Sequence, residues 1–93
     1  MRSTKFKSVW DALENTPEEA ANMKVRAELL IAIQKQVRNQ KGTQSEKAER
    51  LAVTQPRLND LLRGRIDKFS LDSLVNIADR AGLRIDLRVR HAA

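Results

Sequence analysis

The stretch VTQPRLNDLLRGR, residues 53–65, decides how the chain is read. Leu58, Leu61 and Leu62 recur at helical spacing, so one side of this segment is built for burial. The polar residues are Gln55, Arg57, Asn59, Asp60, Arg63 and Arg65. They include hydrogen-bonding types that read base edges and basic types that meet phosphate. Thr54 can cap the start, and Pro56 falls in the first turn, where a missing N–H costs little. Gly64 closes the segment. The prediction is a short helix, half of which does not face a core.

Just upstream, Thr43-Gln44-Ser45-Glu46 has the form of a capping box. It predicts a helix from about Gln44 to Leu51, with Ala48 and Leu51 facing inward. Ala52 and Val53 leave almost no room before Thr54. Two short helices joined this tightly form the helix-turn-helix pattern. Packing explains the residue types. Ala48 is small where the second helix crosses it, Val53 plugs the corner, and Leu58 and Leu61 hold the second helix at a steep angle. The opposite side of residues 55–63 then projects outward at the width of a DNA major groove.

Further out, Thr16-Pro17-Glu18-Glu19 is another helix start, with a cap, a proline at the first helical position and acidic residues at the positive end of the dipole. The helix is expected to run toward Gln40, with a break near Asn22 possible, and Gly42 is expected in the C′ place. Val25, Leu29, Leu30, Ile33 and Val37 make its buried stripe, and LLIAI (29–33) is apolar nearly all round, so this helix is expected to be central. Ser70, Asp72 and Ser73 open a fourth helix with the stripe Leu71, Leu74, Val75, Ile77 and Ala78, ended by Ala81-Gly82. Residues 1–7 are basic and weakly patterned, and SVWDALEN (8–15) can form a short helix. The division is an arm with a short helix at 1–15, a helix-turn-helix domain at 16–82, and a dimerisation strand with tail at 83–93. The fold class is mainly α, a bundle of about five helices with one C-terminal β-strand.

That strand is LRIDLRVR (83–90). Leu83, Ile85, Leu87 and Val89 alternate strictly with Arg84, Asp86, Arg88 and Arg90, a period of two. A lone strand leaves backbone groups unpaired and an apolar face exposed. The same strand from a second copy is the cheapest cover, since two-fold dimers are the commonest oligomers. An antiparallel pair centred on Asp86 opposes two aspartates, so the axis is expected near Leu87 or Ile85. Addition of the strand to a partner protein's sheet is the alternative.

The composition bounds the rest. The chain has 93 residues, a net charge of +6, no cysteine and one histidine, His91. One small domain is expected, with acidic partners such as nucleic acid favoured. Without cysteine there is no disulfide or thiolate chemistry, which suits a reducing cytosol, and a metal site is not expected. No cofactor is expected. No apolar run approaches the roughly 20 residues of a membrane span, and the basic start has no apolar core of a signal peptide. An enzyme is not expected: there is no cysteine, the one histidine is near the end, there is no glycine-rich phosphate loop, and the acidic residues are scattered, mostly near basic neighbours.

Over about residues 25–82 the chain resembles the XRE/Cro-type helix-turn-helix family, through Thr43-Gln44, Ala48, Leu51, Val53-Thr54-Gln55, Leu58, Leu61, Gly64, Ser70-Leu71 and Leu74. Over nearly the whole chain, VWDAL (9–13), TPEEA (16–20), TQPRLNDLLRG (54–64) and FSLDSLV (69–75) are similar to HigA-type antitoxins of bacterial toxin–antitoxin operons. The family usually has glycine in the inter-helix turn, where this chain has Ala52. If that residue has positive φ, alanine there costs roughly 1 kcal/mol.

The resemblance implies that Gln44 touches phosphate, that Gln55 reads base edges, and that Pro56 holds a neighbouring contact position, where it can offer apolar contact to a thymine methyl. Chemistry supplies further expectations. Arg57 suits guanine, Asn59 suits adenine, and Asp60 suits cytosine or serves to orient Arg57. Thr43 and Thr54, at the two helix starts, and Arg63, Arg65 and Lys68, past the groove-facing turn, suit phosphates. Asn59 and Asp60 are read equally as solvated residues, and Lys47 and Arg50 as phosphate contacts or ion-pair partners of Glu46 and Glu49. Val9, Trp10 and Leu13 are either a core cluster or an anchor on a toxin.

The leading functional expectation is a repressor that is also an antitoxin, binding a palindromic operator as a homodimer, with the two recognition helices about 34 Å apart. It places the protein in the bacterial cytoplasm, associated with the nucleoid. The alternatives are a stand-alone XRE-type regulator and a protein-interaction adaptor that keeps the fold without binding DNA.

Overall fold

Thr16 starts the longest helix, its hydroxyl accepting the Glu19 N–H at 3.1 Å. This helix, α1 (Pro17–Asn39), runs unbroken past Asn22. It is followed by α2 (Gln44–Leu51), α3 (Gln55–Leu62), a 3-10 turn (Ile66–Lys68) and α4 (Leu71–Arg80). The computed structural model describes residues 16–92. The arm at 1–15, with the helix expected at 8–15 and with Val9, Trp10 and Leu13, lies outside the described residues. Of the helices expected from the sequence, the described residues therefore hold four and add one short 3-10 turn.

Each α-helix of the described residues has a threonine or serine at its N-cap. Thr43, Thr54 and Ser70 accept the N–H of Glu46, Arg57 and Ser73 at 3.1–3.2 Å. Glu46 completes the capping box by accepting the Thr43 N–H at 2.8 Å. The C-terminal ends of α2, α3 and α4 close by one shared device. Two N–H groups past the helix turn back, Val53 to Ala48 and Ala52 to Glu49 in α2, and the same pairing recurs at Arg65 with Gly64 and at Leu83 with Gly82. This pairing needs a left-handed residue at the turn. Gly64 and Gly82 supply it at φ 76 and 85, and Ala52 takes it at φ 57, so the condition set for this turn is met.

Gly42 is not the closing residue of α1. The helix stops at Asn39 with Gln40 extended, and Gly42 lies two residues further on at φ 124. A Cβ there would fall 2.8 Å from Nη2 of Arg50, which donates across the turn to the Lys41 carbonyl.

Leu30, Ile33 and Val37 of α1 bury against Ala48, Leu51, Leu58, Leu61, Leu74, Ile77 and Ala78, with Phe69 and Ala81 completing the core. Full burial of one such large side chain stabilises by about 1.5–3 kcal/mol. α1 packs on α4, α3 and the 3-10 turn, while α2 packs on α3 and α4; the apolar surface of α1 is not wholly covered. Val25 and Ile31 are exposed, as is Val75 of α4.

The expected strand is absent. Residues 83–92 have no regular structure, and Leu83 alone of their apolar residues packs on the core. A strand exists only by pairing, and among the described residues no second extended segment lies beside this one. Ile85 is 44% exposed, and Leu87 and Val89 are each 83% exposed. No helix of the described residues is long and apolar enough to cross a membrane.

Candidate nucleic-acid interface

The turn between α2 and α3 fixes the candidate surface. Ala48 is buried at the crossing, Leu51 ends α2 in the core, and Val53 packs partly beneath the corner. Leu58 and Leu61 are each 1% exposed and clamp α3 by one side. The first turn of α3 is held by Thr54 and its last carbonyls by α1. Nε2 of Gln34 donates to the carbonyl of Leu61 at 2.9 Å, and Nη2 of Arg38 to that of Leu62 at 2.7 Å. Both ends of α3 are therefore fixed before any partner arrives.

Gln55, Pro56, Asn59 and Arg63 are exposed, and the side chains of Gln55, Asn59 and Arg63 make no hydrogen bond or ion pair to the described residues. At about 100° per residue, these four share an arc of about 100° on the side away from Leu58 and Leu61. Gln44 is exposed at the start of α2. The Thr43 and Thr54 hydroxyls accept their capping bonds and keep a proton to donate outward, as a phosphate contact requires.

Arg57 and Asp60 are placed differently from the rest. The Arg57 guanidinium lies 4.4 Å from the centroid of the Phe69 ring, and its Nη1 donates to the Lys68 carbonyl at 3.4 Å. Asp60 does not orient Arg57; its carboxylate faces Arg65 at 3.8 Å. Arg65 is thus paired, while Lys68 and Arg63 are exposed, with no side-chain partner among the described residues. Arg50, read as a phosphate contact or a partner of Glu49, instead donates to Gln40 at 3.3 Å and to the Lys41 carbonyl at 3.0 Å.

The residues that sequence reasoning missed lie on α1. Nε2 of Gln36 and of Gln40 both donate to the Ala81 carbonyl, at 3.0 and 2.9 Å. Nη1 of Arg26 reaches the carbonyls of Ile66 and Phe69, at 3.4 and 3.3 Å. Their only signal in the sequence is a polar residue beside the apolar stripe, which solvated residues share.

A family model described as a helix-turn-helix domain matches residues 12–90. The chain belongs to the helix-turn-helix family. Comparison with curated proteins finds no match. Helix-turn-helix domains lay their second short helix in the DNA major groove, with its N-terminal residues toward the bases. α3 is that helix here, and membership points to a DNA-binding regulator.

Proposed function

We propose that this helix-turn-helix protein is a sequence-specific transcriptional repressor, that it works as a dimer on a palindromic operator, and that it is the antitoxin of a toxin–antitoxin pair repressing its own promoter. The observation that carries the DNA half is the free, exposed arc of α3. Among the described residues the side chains of Gln55, Asn59 and Arg63 have no hydrogen-bond or ion-pair partner, yet α3 itself is fixed at both ends. Fixed donors and acceptors on a groove-sized helix are what base readout requires. The net charge of +6 adds attraction to phosphate. Repression follows from occupancy that excludes polymerase; the protein acts by binding, not by catalysis, and needs no cofactor.

The dimer is supported by the alternating apolar residues Ile85, Leu87 and Val89, exposed to water in the single chain. Antiparallel pairing of two tails would bury them and satisfy their backbone groups. The antitoxin role is supported by the resemblance of TPEEA, TQPRLNDLLRG and FSLDSLV to HigA-type antitoxins. A toxin-binding role for Val9, Trp10 and Leu13 belongs to the same proposal, as does a place in the bacterial cytoplasm on the nucleoid.

A gel-shift titration against the DNA upstream of its own gene tests the DNA half. The expected result is a discrete shift that weakens about a hundredfold or more between 50 and 200 mM salt, as counterions compete for the phosphates. No shift, or one indifferent to salt, would leave the interaction-adaptor reading. Copurification with a small basic protein encoded by the neighbouring gene tests the antitoxin half, and its failure would leave a stand-alone regulator.

A further inference from the structure

Each base asks for a different side chain in the major groove. Guanine takes arginine or lysine, adenine takes asparagine or glutamine, cytosine gives a hydrogen bond to a carboxylate, and thymine offers a methyl group to apolar contact. α3 carries a candidate for every one: Arg57 for guanine, Gln55 and Asn59 for adenine, Asp60 for cytosine and Pro56 for thymine.

The fold sorts these candidates. Arg57 stands about 160° round the helix from Asn59 and only about 40° from Leu61, which is buried. Its guanidinium is laid on Phe69, which is 2% exposed, and is hydrogen-bonded to the Lys68 carbonyl. The guanine-type side chain is therefore turned toward the loop that follows α3. Asp60, the cytosine-type side chain, is engaged by Arg65. Arg63 has no side-chain partner among the described residues but sits about 12 Å further along the chain direction of α3 than Gln55, whereas the N-terminal residues of a recognition helix reach the bases. Gln55, Pro56 and Asn59 remain, all exposed.

We infer that the operator half-site is read at its core as A·T pairs, with Gln55 and Asn59 each on an adenine edge and Pro56 against a thymine methyl. Arg57 is a positioning residue, pinning the first turn of α3 to the loop ahead of α4. This inference rests on the DNA-binding reading above.

Selection of the full chain on random-sequence duplexes tests it. A·T pairs are expected at the positions facing the start of α3, and changing any one of them to G·C is expected to weaken binding about tenfold. Gln55→Ala and Asn59→Ala are each expected to erase the preference at one position and leave the others. Arg57→Met is expected to lower affinity for every duplex alike, with the selected sequence unchanged. If Arg57→Met does not fold, as its circular dichroism would report, the unsubstituted chain and the Asn59 variant still decide. A G·C pair required in the core overturns the inference, as does an A·T preference that survives both alanine variants. Selection of no sequence at all overturns the DNA reading as well, so the two failures are told apart.

Discussion

Ala52 holds a backbone that L side chains avoid. Its φ of 57 and ψ of 43 are left-handed, and it is the one non-glycine residue with positive φ among the described residues. The turn requires that conformation because the N–H groups of Ala52 and Val53 must reach back to Glu49 and Ala48. Alanine there costs about 1 kcal/mol more than glycine. Ala52→Gly is expected to raise the thermal midpoint by about 4 °C or more and to leave DNA affinity unchanged, which differential scanning calorimetry and a binding titration would check. The expectation came through the resemblance, since the family that the chain resembles usually has glycine at this turn. Arg57 was less legible. Its partner Phe69 sits in an aperiodic stretch, IDKFS, and nothing local tells that this ring will be fully buried with a guanidinium on its face.

At the scale of elements, the helices were readable because their signals are local. A capping threonine or serine and apolar residues three and four apart identify α1 to α4 within a few positions. The ties that orient them are not local. Gln34 reaches Leu61, Gln36 and Gln40 reach Ala81, and Arg26 reaches Phe69, separations of 27 to 45 residues that leave no periodic trace. Gln36 and Gln40 satisfy the Ala81 carbonyl just past α4, and Gln34 adds a second bond to a Leu61 carbonyl that already accepts from Gly64 at 3.1 Å. Gln34→Ala is expected to destabilise the fold by about 1 kcal/mol, seen as a lower urea midpoint with an unchanged slope. A null effect would mean that water replaces the glutamine at the end of α3. α1 was expected to be central, and it is, but Ile31 at 63% and Val25 at 45% exposure show that an apolar run need not be buried all round.

For the whole molecule the informative failure is the C-terminal segment. Its period of two was plain in LRIDLRVR, yet residues 83–92 form no strand within one chain. Periodicity reports which face is apolar, not what covers it. If two tails pair, full-length protein sediments as a dimer at micromolar concentration. Leu87→Asp, a change at a position 83% exposed in the single chain, is then expected to give monomer with an unaltered helical spectrum. It should also weaken operator binding by more than tenfold, since a two-fold operator is read by two linked helices. Sedimentation velocity decides this, and a wild-type monomer would remove the dimer from the proposal. The base-reading arc shares that division between what is local and what is not. Gln55, Pro56 and Asn59 were visible as outward residues of a short helix, while the withdrawal of Arg57 and Asp60 depended on loop residues that only folding brings near.

The most direct measurement follows the side-chain amides of Gln55 and Asn59 in isotope-labelled protein as a selected duplex is added. If α3 enters the major groove, these two resonances shift strongly, those of Gln34 and Gln36 on α1 stay in place, and a scrambled duplex produces neither large shift. Shifts confined to α1 or to the tail, with Gln55 and Asn59 unmoved, would contradict it.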